Sequence, residues 1–325
     1  MPLHSISNAG SLCDGVFGIK KNCPTTLLMH SLRRLIINAD DFGISRSVND
    51  GIFEAARAGG ITSTSLMVNL PDSADAVARA RQCSRISVGL HFNLTVGSAL
   101  TGPSSLTQGQ SAEFYPLSRL LAAAALGMLD EADVERECLA QIDRMTRAGF
   151  PPTHLDSHRH IHTHPSIYPS VLRAVQARRI PHLRIPCEPL DVNAGALGAT
   201  MKKSLLLLSA RRSRRSTADS RSAISPADIT GFVGISLQGG STFGERLFAL
   251  VRDLPPGTTE LMTHPGYADA DLAKRDNYTV EREIELKVLC SREFQDVLRD
   301  SRVALANFGD QTAIVTGEHE LAEYC

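Results

Sequence analysis

Nowhere in the sequence is there a run of about 18 apolar residues, so no transmembrane helix is expected. Nor is there an excess of either charge. The formal net charge is −1 and the pI is near 6.8, which gives no overall field to draw in a phosphate backbone, and nucleic acid is not an expected partner. The seven cysteines are odd in number, scattered, and never paired as Cys-x-x-Cys, which argues against a disulfide framework and against a cysteine-zinc site. A reducing cytoplasm suits them. Residues 1–32 lack the basic start and long apolar stretch of a secretory signal and read as a flexible extension, with Met29 as an alternative start. Also missing are a Gly-x-Ser-x-Gly elbow and a P-loop lysine motif, which weakens the case for serine hydrolysis and nucleotide hydrolysis.

What is present is an ordinary globular composition, 42% hydrophobic and 21% charged, in a chain of 325 residues that could form one barrel or two domains. From Arg33 onward the pattern is regular. "RRLIINADD" is a short apolar run ending in acids; "SRSVNDGIFEAARAGG" has helical spacing, with Ser45 as N-cap and glycines at its end; "ITSTSLMVNL" is β-branched. A helix follows over "DSADAVARARQCS", then a strand at "ISVGLHFNLT". Strand alternating with helix implies parallel strands under covering helices.

Residues 97–116, rich in Gly, Ser, Thr and Pro, read as a long loop of the kind that often serves as a lid or binding segment. Helices are expected over 117–127 and 130–149, a strand at 153–156, a helix after Pro165, and strands at "HLRIP", "GFVGISL", "TTELMTH" and "RVALANF". Late helices lie in "YTVEREIELKVLCSREFQDVLRD". With seven or eight β/α units and no detectable repeat, the expected fold is an α/β, imperfect (β/α) barrel forming a single domain over 33–325. The stretch 188–230 is the least certain. It contains "KKSLLLLSARRSRRS" at 202–216, six basic residues beside a leucine run, which reads as a solvated amphipathic helix or, alternatively, as a surface for anionic lipid that would place the protein at the membrane periphery.

In such barrels reactive groups gather at the carboxyl ends of the strands. Here one strand ends with Asn38, Asp40 and Asp41, another with His91, and a late one with His264 in "THPG". The strand at 153–156 runs into "HLDSHRHIHTHP", where His154, His158, His160, His162 and His164 supply five of the chain's 11 histidines beside Asp156. Imidazole with carboxylate is the donor set of catalytic zinc and related divalent metals, so Asp41, His91 and one cluster histidine are the candidate ligands. His158 and His162 cannot be told apart by spacing, because an i, i+4 turn would put both on one side. Asp40 is the candidate proton acceptor and His264 the candidate donor to a leaving amine. Adjacent acids can take different roles because alternate positions at a strand end point in different directions. Blander readings exist for each: Asp40 and Asp41 as an acidic pair favoured by a helix dipole, His91 as a satisfied core histidine, and His264 as part of a turn. Asp156 could orient a histidine, and Arg184 could pair with Asp40 or touch substrate. His160, His162, Asn38 and Asn93 are further substrate or supporting candidates.

Seven segments, "IINADDFGIS", "ITSTSLMVN", "VGLHFNLT", "THLDSHRHIH", "LRIPCEP", "THPGY" and "VEREIELKVL", appear in an order that resembles the YdjC-type carbohydrate deacetylases. That group includes chitooligosaccharide deacetylases and deacetylases associated with hopanoid biosynthesis. The resemblance covers about residues 33–309, and "LRIPCEP" with "GISLQGG" looks closer to the hopanoid-associated branch. It implies a distorted TIM-like barrel, a divalent ion on Asp41, His91 and His158, Asp40 as general base and His264 as acid. It thereby selects His158 over His162. The expected activity is removal of the acetyl group from an N-acetylated amino sugar, soluble or lipid-linked, with release of acetate. Zinc or magnesium is the expected ion, with nickel and cobalt also compatible, and a homo-oligomer is compatible with the sequence. Two other classes stay open here: a non-catalytic carbohydrate- or metal-binding barrel, and another metal-assisted amide or ester hydrolase.

Overall fold

The computed structural model describes residues 32–189 and 229–309. Residues 1–31 of the expected extension, and the basic leucine-rich stretch 202–216, lie outside the described residues.

Seven parallel strands are named: β1 (Arg33–Phe42), β2 (Ser63–Leu66), β3 (Ser87–Phe92), β4 (Leu155–Ser157), β5 (Ile229–Val233), β6 (Gly257–Thr263) and β7 (Val303–Leu305). Their order is β4-β3-β2-β1-β6-β5. β7 pairs with the first residues of β1, Arg33 to Leu35, below the stretch where β2 takes over at Asn38. Helices follow the strands: α1 (Arg46–Arg57), α2 (Ser73–Ala80), α3 (Leu117–Ala125), α4 (Glu131–Arg147), α5 (Tyr168–Ala177), α6 (Phe243–Arg252), the short α7 (Ala270–Ala273), α8 (Val280–Leu289) and α9 (Arg292–Asp300). Ser45 caps α1 as its sequence position suggests, its side chain accepting from the Val48 N–H at 3.2 Å.

β1 is buried on both faces from Leu35 onward, as a central strand with helices on one face and the filled curl of the sheet on the other has to be. Leu35, Ile37 and Ala39 face outward into the main core, where they join Val48, Ile52 and Ala55 of α1. The alternate positions Ile36, Asn38 and Asp40 therefore face into the curl of the sheet. Two small apolar clusters plug that interior, Ile36 with Ala306 and Phe308, and Phe232 with Ile235 and Met262.

Among the described residues the sheet curls without closing. The strand expected at "HLRIP" shrinks to one bridge between Leu155 and Leu183. Between that segment and β5 lies a cavity of about 200 Å3, bordered by Leu183, Arg184, Ile185, Phe232, Glu260 and Phe308. The result is a distorted, open (β/α) barrel. The loop over 97–116 is not slack: Glu137 of α4, fully buried, accepts from Leu100 N–H (3.1 Å), Thr101 N–H (3.0 Å) and the Thr101 hydroxyl (2.7 Å). Among the described residues, no helix is long and apolar enough to cross a membrane.

Candidate metal centre and active site

Strict alternation would send Asp40 and Asp41 to opposite faces of β1. Instead the pairing of β1 with β2 shifts register between Ala39 and Phe42, and Asp41 adopts φ 70°, a left-handed conformation that aspartate tolerates better than most residues. Both carboxylates end up buried, each 2% exposed, at the carboxyl end of the strand. Asp40 is gripped by Arg184, whose Nη1 and Nη2 donate to its two oxygens at 2.6 and 2.7 Å, and by Asn38 Nδ2 at 2.8 Å. Burial opposes ionisation, but Arg184 outweighs it and holds Asp40 well below the usual carboxylate range. Asp41 Oδ2 accepts from Arg282 Nη2 at 2.6 Å, and Arg282 likewise keeps Asp41 ionised against its burial.

His91, at the end of β3, presents one nitrogen to each of two acids. Nδ1 lies 2.7 Å from Asp156 Oδ1, and Nε2 lies 3.1 Å from Asp41 Oδ1. Burial lowers its proton affinity, but Asp156, Asp41 and Asp40 more than reverse this and push His91 up to about 10. The ring keeps its proton unless another cation takes that place. His158 Nδ1 is 2.5 Å from Thr95 Oγ1, while its Nε2 is buried with no hydrogen-bond partner. Burial pushes His158 down to about 4, leaving it a neutral imidazole at pH 7.

Asp41 Oδ1 and His158 Nε2 are thus both buried and without a conventional hydrogen bond, and the His91 and His158 rings stand 6.0 Å apart. Donors of this kind, one carboxylate and two imidazoles, one of the rings backed by an acid, suit a divalent ion. The group whose ligand atoms lie within 4.8 Å of one another is Asp41, His158 and Asp276, the last on the loop before α8, and His91 Nε2 adjoins it at 3.1 Å from Asp41 Oδ1. The Asp276 oxygens are engaged by Arg282 at 2.8 Å and by Arg159. A second group, Asp40, His91 and Asp156, is equally tight. It already has its cation: Arg184 Nη2 lies 2.7 Å from Asp156 Oδ2 as well as binding Asp40.

The histidine cluster folds in a way its spacing does not reveal. Arg159 and His160 are both left-handed, with φ 59° and 54°, and break the turn over 158–163. No i, i+4 face forms. His158 turns to Thr95 and the Asp41 side, whereas His162 bonds Ser157 Oγ and approaches the Arg184 carbonyl at 2.9 Å. His160 packs edge-on to Phe232. His154 stacks on Phe308 and burial pushes it down to about 3. Asn93, a substrate or supporting candidate, has its polar atoms in a turn: Oδ1 accepts from Thr95 N–H and Val96 N–H, and Nδ2 donates to Asn69 and to Val96 O. That turn carries Thr95 to His158.

His264 follows β6, and its backbone N–H donates to Glu285 Oε2 at 2.6 Å. Tyr278 donates to the other Glu285 oxygen at 2.5 Å, and the Tyr278 ring lies 5.4 Å from that of His264. Gln238 Nε2 lies 3.5 Å from both His264 ring nitrogens. Burial pushes His264 down to about 4, against the pull of Asp40 and Asp41. Four strand ends thus bring Asp40, Asp41, His91 and His158 close together, and the charges of Asp40 and Asp41 reach His264. Arg282, Asp276, Glu260 and Glu285 were absent from the sequence expectations. Arg282 and Glu285 stand inside "VEREIELKVL", where a helix of alternating charge reads as a solvated face; their complete burial is a tertiary fact.

Comparison with known proteins gives concordant results. Residues 34–300 match the family model described as YdjC-like protein. The chain is 33% identical over 279 residues to a carbohydrate deacetylase of Brevibacillus brevis, covering 85% of this chain and 99% of that one. It is 31% identical to a chitooligosaccharide deacetylase of Serratia marcescens, with 85% and 98% covered. Among solved structures, a putative cellobiose-phosphate cleavage protein from Enterococcus faecalis superposes with a TM-score of 0.65 at 22% identity, over 86% of this chain and 98% of that one. That likeness bears on the fold alone. With fold and sequence in agreement, the chain belongs to the YdjC-like protein family.

Proposed function

We propose that the protein is a metal-dependent carbohydrate deacetylase that hydrolyses the acetamide of an N-acetylated amino sugar and releases acetate. The observation that carries this is the set of buried donor atoms, Asp41 Oδ1, His91 Nε2 and His158 Nε2, next to an ionised carboxylate, Asp40, that belongs to a different cation. Its relatives' names, carbohydrate deacetylase and chitooligosaccharide deacetylase, support the same reading.

Asp41, His91 and His158 would hold the ion, and zinc, magnesium, nickel and cobalt all accept such ligands. A divalent ion supplies Lewis acidity toward an amide carbonyl and toward water. Asp156 orients His91 from behind, and Arg282 holds the second oxygen of Asp41 so that the first faces inward. Asp40 accepts a proton from the attacking water at Oδ2, which keeps a lone pair beyond the one Arg184 uses, whereas Oδ1 is also taken by Asn38 Nδ2. His264, neutral in the resting site, receives the proton that Asp40 took from water and hands it to the departing amine, which leaves poorly unless protonated.

The test is incubation of the purified protein, with defined metals, with soluble and lipid-linked N-acetyl sugars, and detection of free amine by mass spectrometry. Deacetylated product on an N-acetylglucosamine substrate is expected. Turnover restricted to esters or ring amides would overturn the proposal. The lipid-linked arm identifies the substrate class.

A further inference from the structure

Arg184 stands on a segment with few sheet partners. Leu155 N–H donates to His182 O at 2.8 Å, Arg184 N–H donates to Leu155 O at 2.9 Å, and this single bridge ties the segment to β4. Its other side borders the seam cavity, and among the described residues no strand pairs there. The guanidinium is fixed by its own partners.

Glu260 of β6 is one. It accepts from Arg184 Nε at 2.7 Å, while Nη1 and Nη2 go to Asp40 and Nη2 also meets Asp156. With all three nitrogens of the planar fork engaged, the guanidinium cannot rotate without breaking a charge-assisted bond. Glu260 is in register with Ile36 of β1 and Phe232 of β5, one layer beneath Asn38 and Met262. Phe232 and Phe308 border the same cavity together with His182 and Thr230, and burial with the nearby Asp156 and Asp40 pushes the Glu260 carboxyl up to about 7 against the pull of Arg184. A carboxylate 2% exposed at that depth is costly to desolvate, and an aliphatic residue would pack there more cheaply.

We propose that Glu260 is a positioning residue for the proton acceptor: it tethers Arg184 across the open seam, and the guanidinium held in this way fixes the orientation of Asp40. The kinetic consequence rests on the deacetylase reading; the tether itself does not.

The experiment compares the wild-type protein with Glu260→Gln, which keeps an acceptor for Nε, and Glu260→Ala, which removes it; Glu260→Met replaces the Ala variant if the latter does not fold. Native-state labelling with phenylglyoxal, read by peptide mass spectrometry, should leave Arg184 protected in the wild type and in Glu260→Gln and expose it in the acceptor-less variant. In that variant kcat should fall by about 10²-fold, the loss expected for a displacement near 1 Å, with KM and divalent-ion affinity unchanged. Glu260→Gln should recover kcat to within about threefold, since a neutral acceptor replaces much of the bond. An unlabelled Arg184 in Glu260→Ala overturns the tether, as does an equal loss of kcat in both variants or a loss shared with metal binding. If no N-acetyl sugar is a substrate, the kinetic arm falls with the deacetylase reading, and the labelling still decides the tether.

Discussion

His91 Nε2 and Asp41 Oδ1 face each other at 3.1 Å, while Asp156 holds the far nitrogen of the same ring at 2.7 Å. A carboxylate behind a histidine commonly fixes the tautomer that leaves the other nitrogen free to ligate. The two residues come from β1 and β3, 50 positions apart, and meet only because β2 lies between those strands in a parallel sheet.

The division of labour between the two adjacent acids is testable. Asp41→Asn and His158→Ala should lower divalent-ion affinity in a calorimetric titration, because each removes an inward-facing donor. Asp40→Asn should bind the ion as the wild type does and lose about 10²- to 10⁴-fold in turnover, the usual contribution of a general base. Wild-type turnover in Asp40→Asn would reject the assignment.

His264 is expected to matter in proportion to the difficulty of the leaving group. His264→Ala should slow amide hydrolysis by about 10²-fold or more and leave an aryl acetate, whose phenolate departs unaided, little affected. Steady-state rates on the two substrates check this. Equal losses on both would point to a collapsed loop.

That loop is vulnerable at a second place. A Cβ on Gly51 of α1 would come within 2.5 Å of the Gly266 Cα, two residues beyond His264. Gly51→Ala should cost about 1–3 kcal/mol through overpacking and lower kcat by displacing His264. Denaturant unfolding and kinetics on the same variant measure the two effects.

The late part of the site shows where sequence stops being informative. Asp40, Asp41, His91 and His264 could be nominated because each ends an apolar run, and a parallel barrel brings such ends together. Arg282 and Glu285 could not, since nothing within a helix of alternating charge distinguishes an arginine that buries against Asp41 from one in solvent. Nor could spacing separate His158 from His162, because the answer lies in two consecutive left-handed residues, Arg159 and His160, which no propensity favours. The "HLRIP" strand shrinks for a related reason: its residues look like a strand, but among the described residues only Leu183 is bridged, to Leu155, and a cavity lies on the far side.

Proton linkage gives a signature in the metal-stripped protein. Burial pushes His154 down to about 3 and His162 to about 4 from an ordinary 6.5. The unfolded chain takes up protons at these rings from about pH 6.5 downward while the folded one does not, so stability should fall as pH drops from about 6.5 toward 4. His91 acts in the opposite sense. Its value near 10 adds stability that is complete below 6.5 and is lost as pH rises through about 10. A bound divalent ion replaces that proton, so the alkaline loss should shrink when metal is restored. Thermal unfolding across pH, with chelator and with metal, checks both limbs.

The most direct test of the metal-dependent deacetylase is acetate release from an N-acetylglucosamine oligosaccharide by chelator-stripped protein, before and after one equivalent of divalent ion. The account predicts no release from the stripped protein, recovery on addition of the ion, and no recovery in Asp41→Asn. Undiminished acetate release with the chelator present would contradict it.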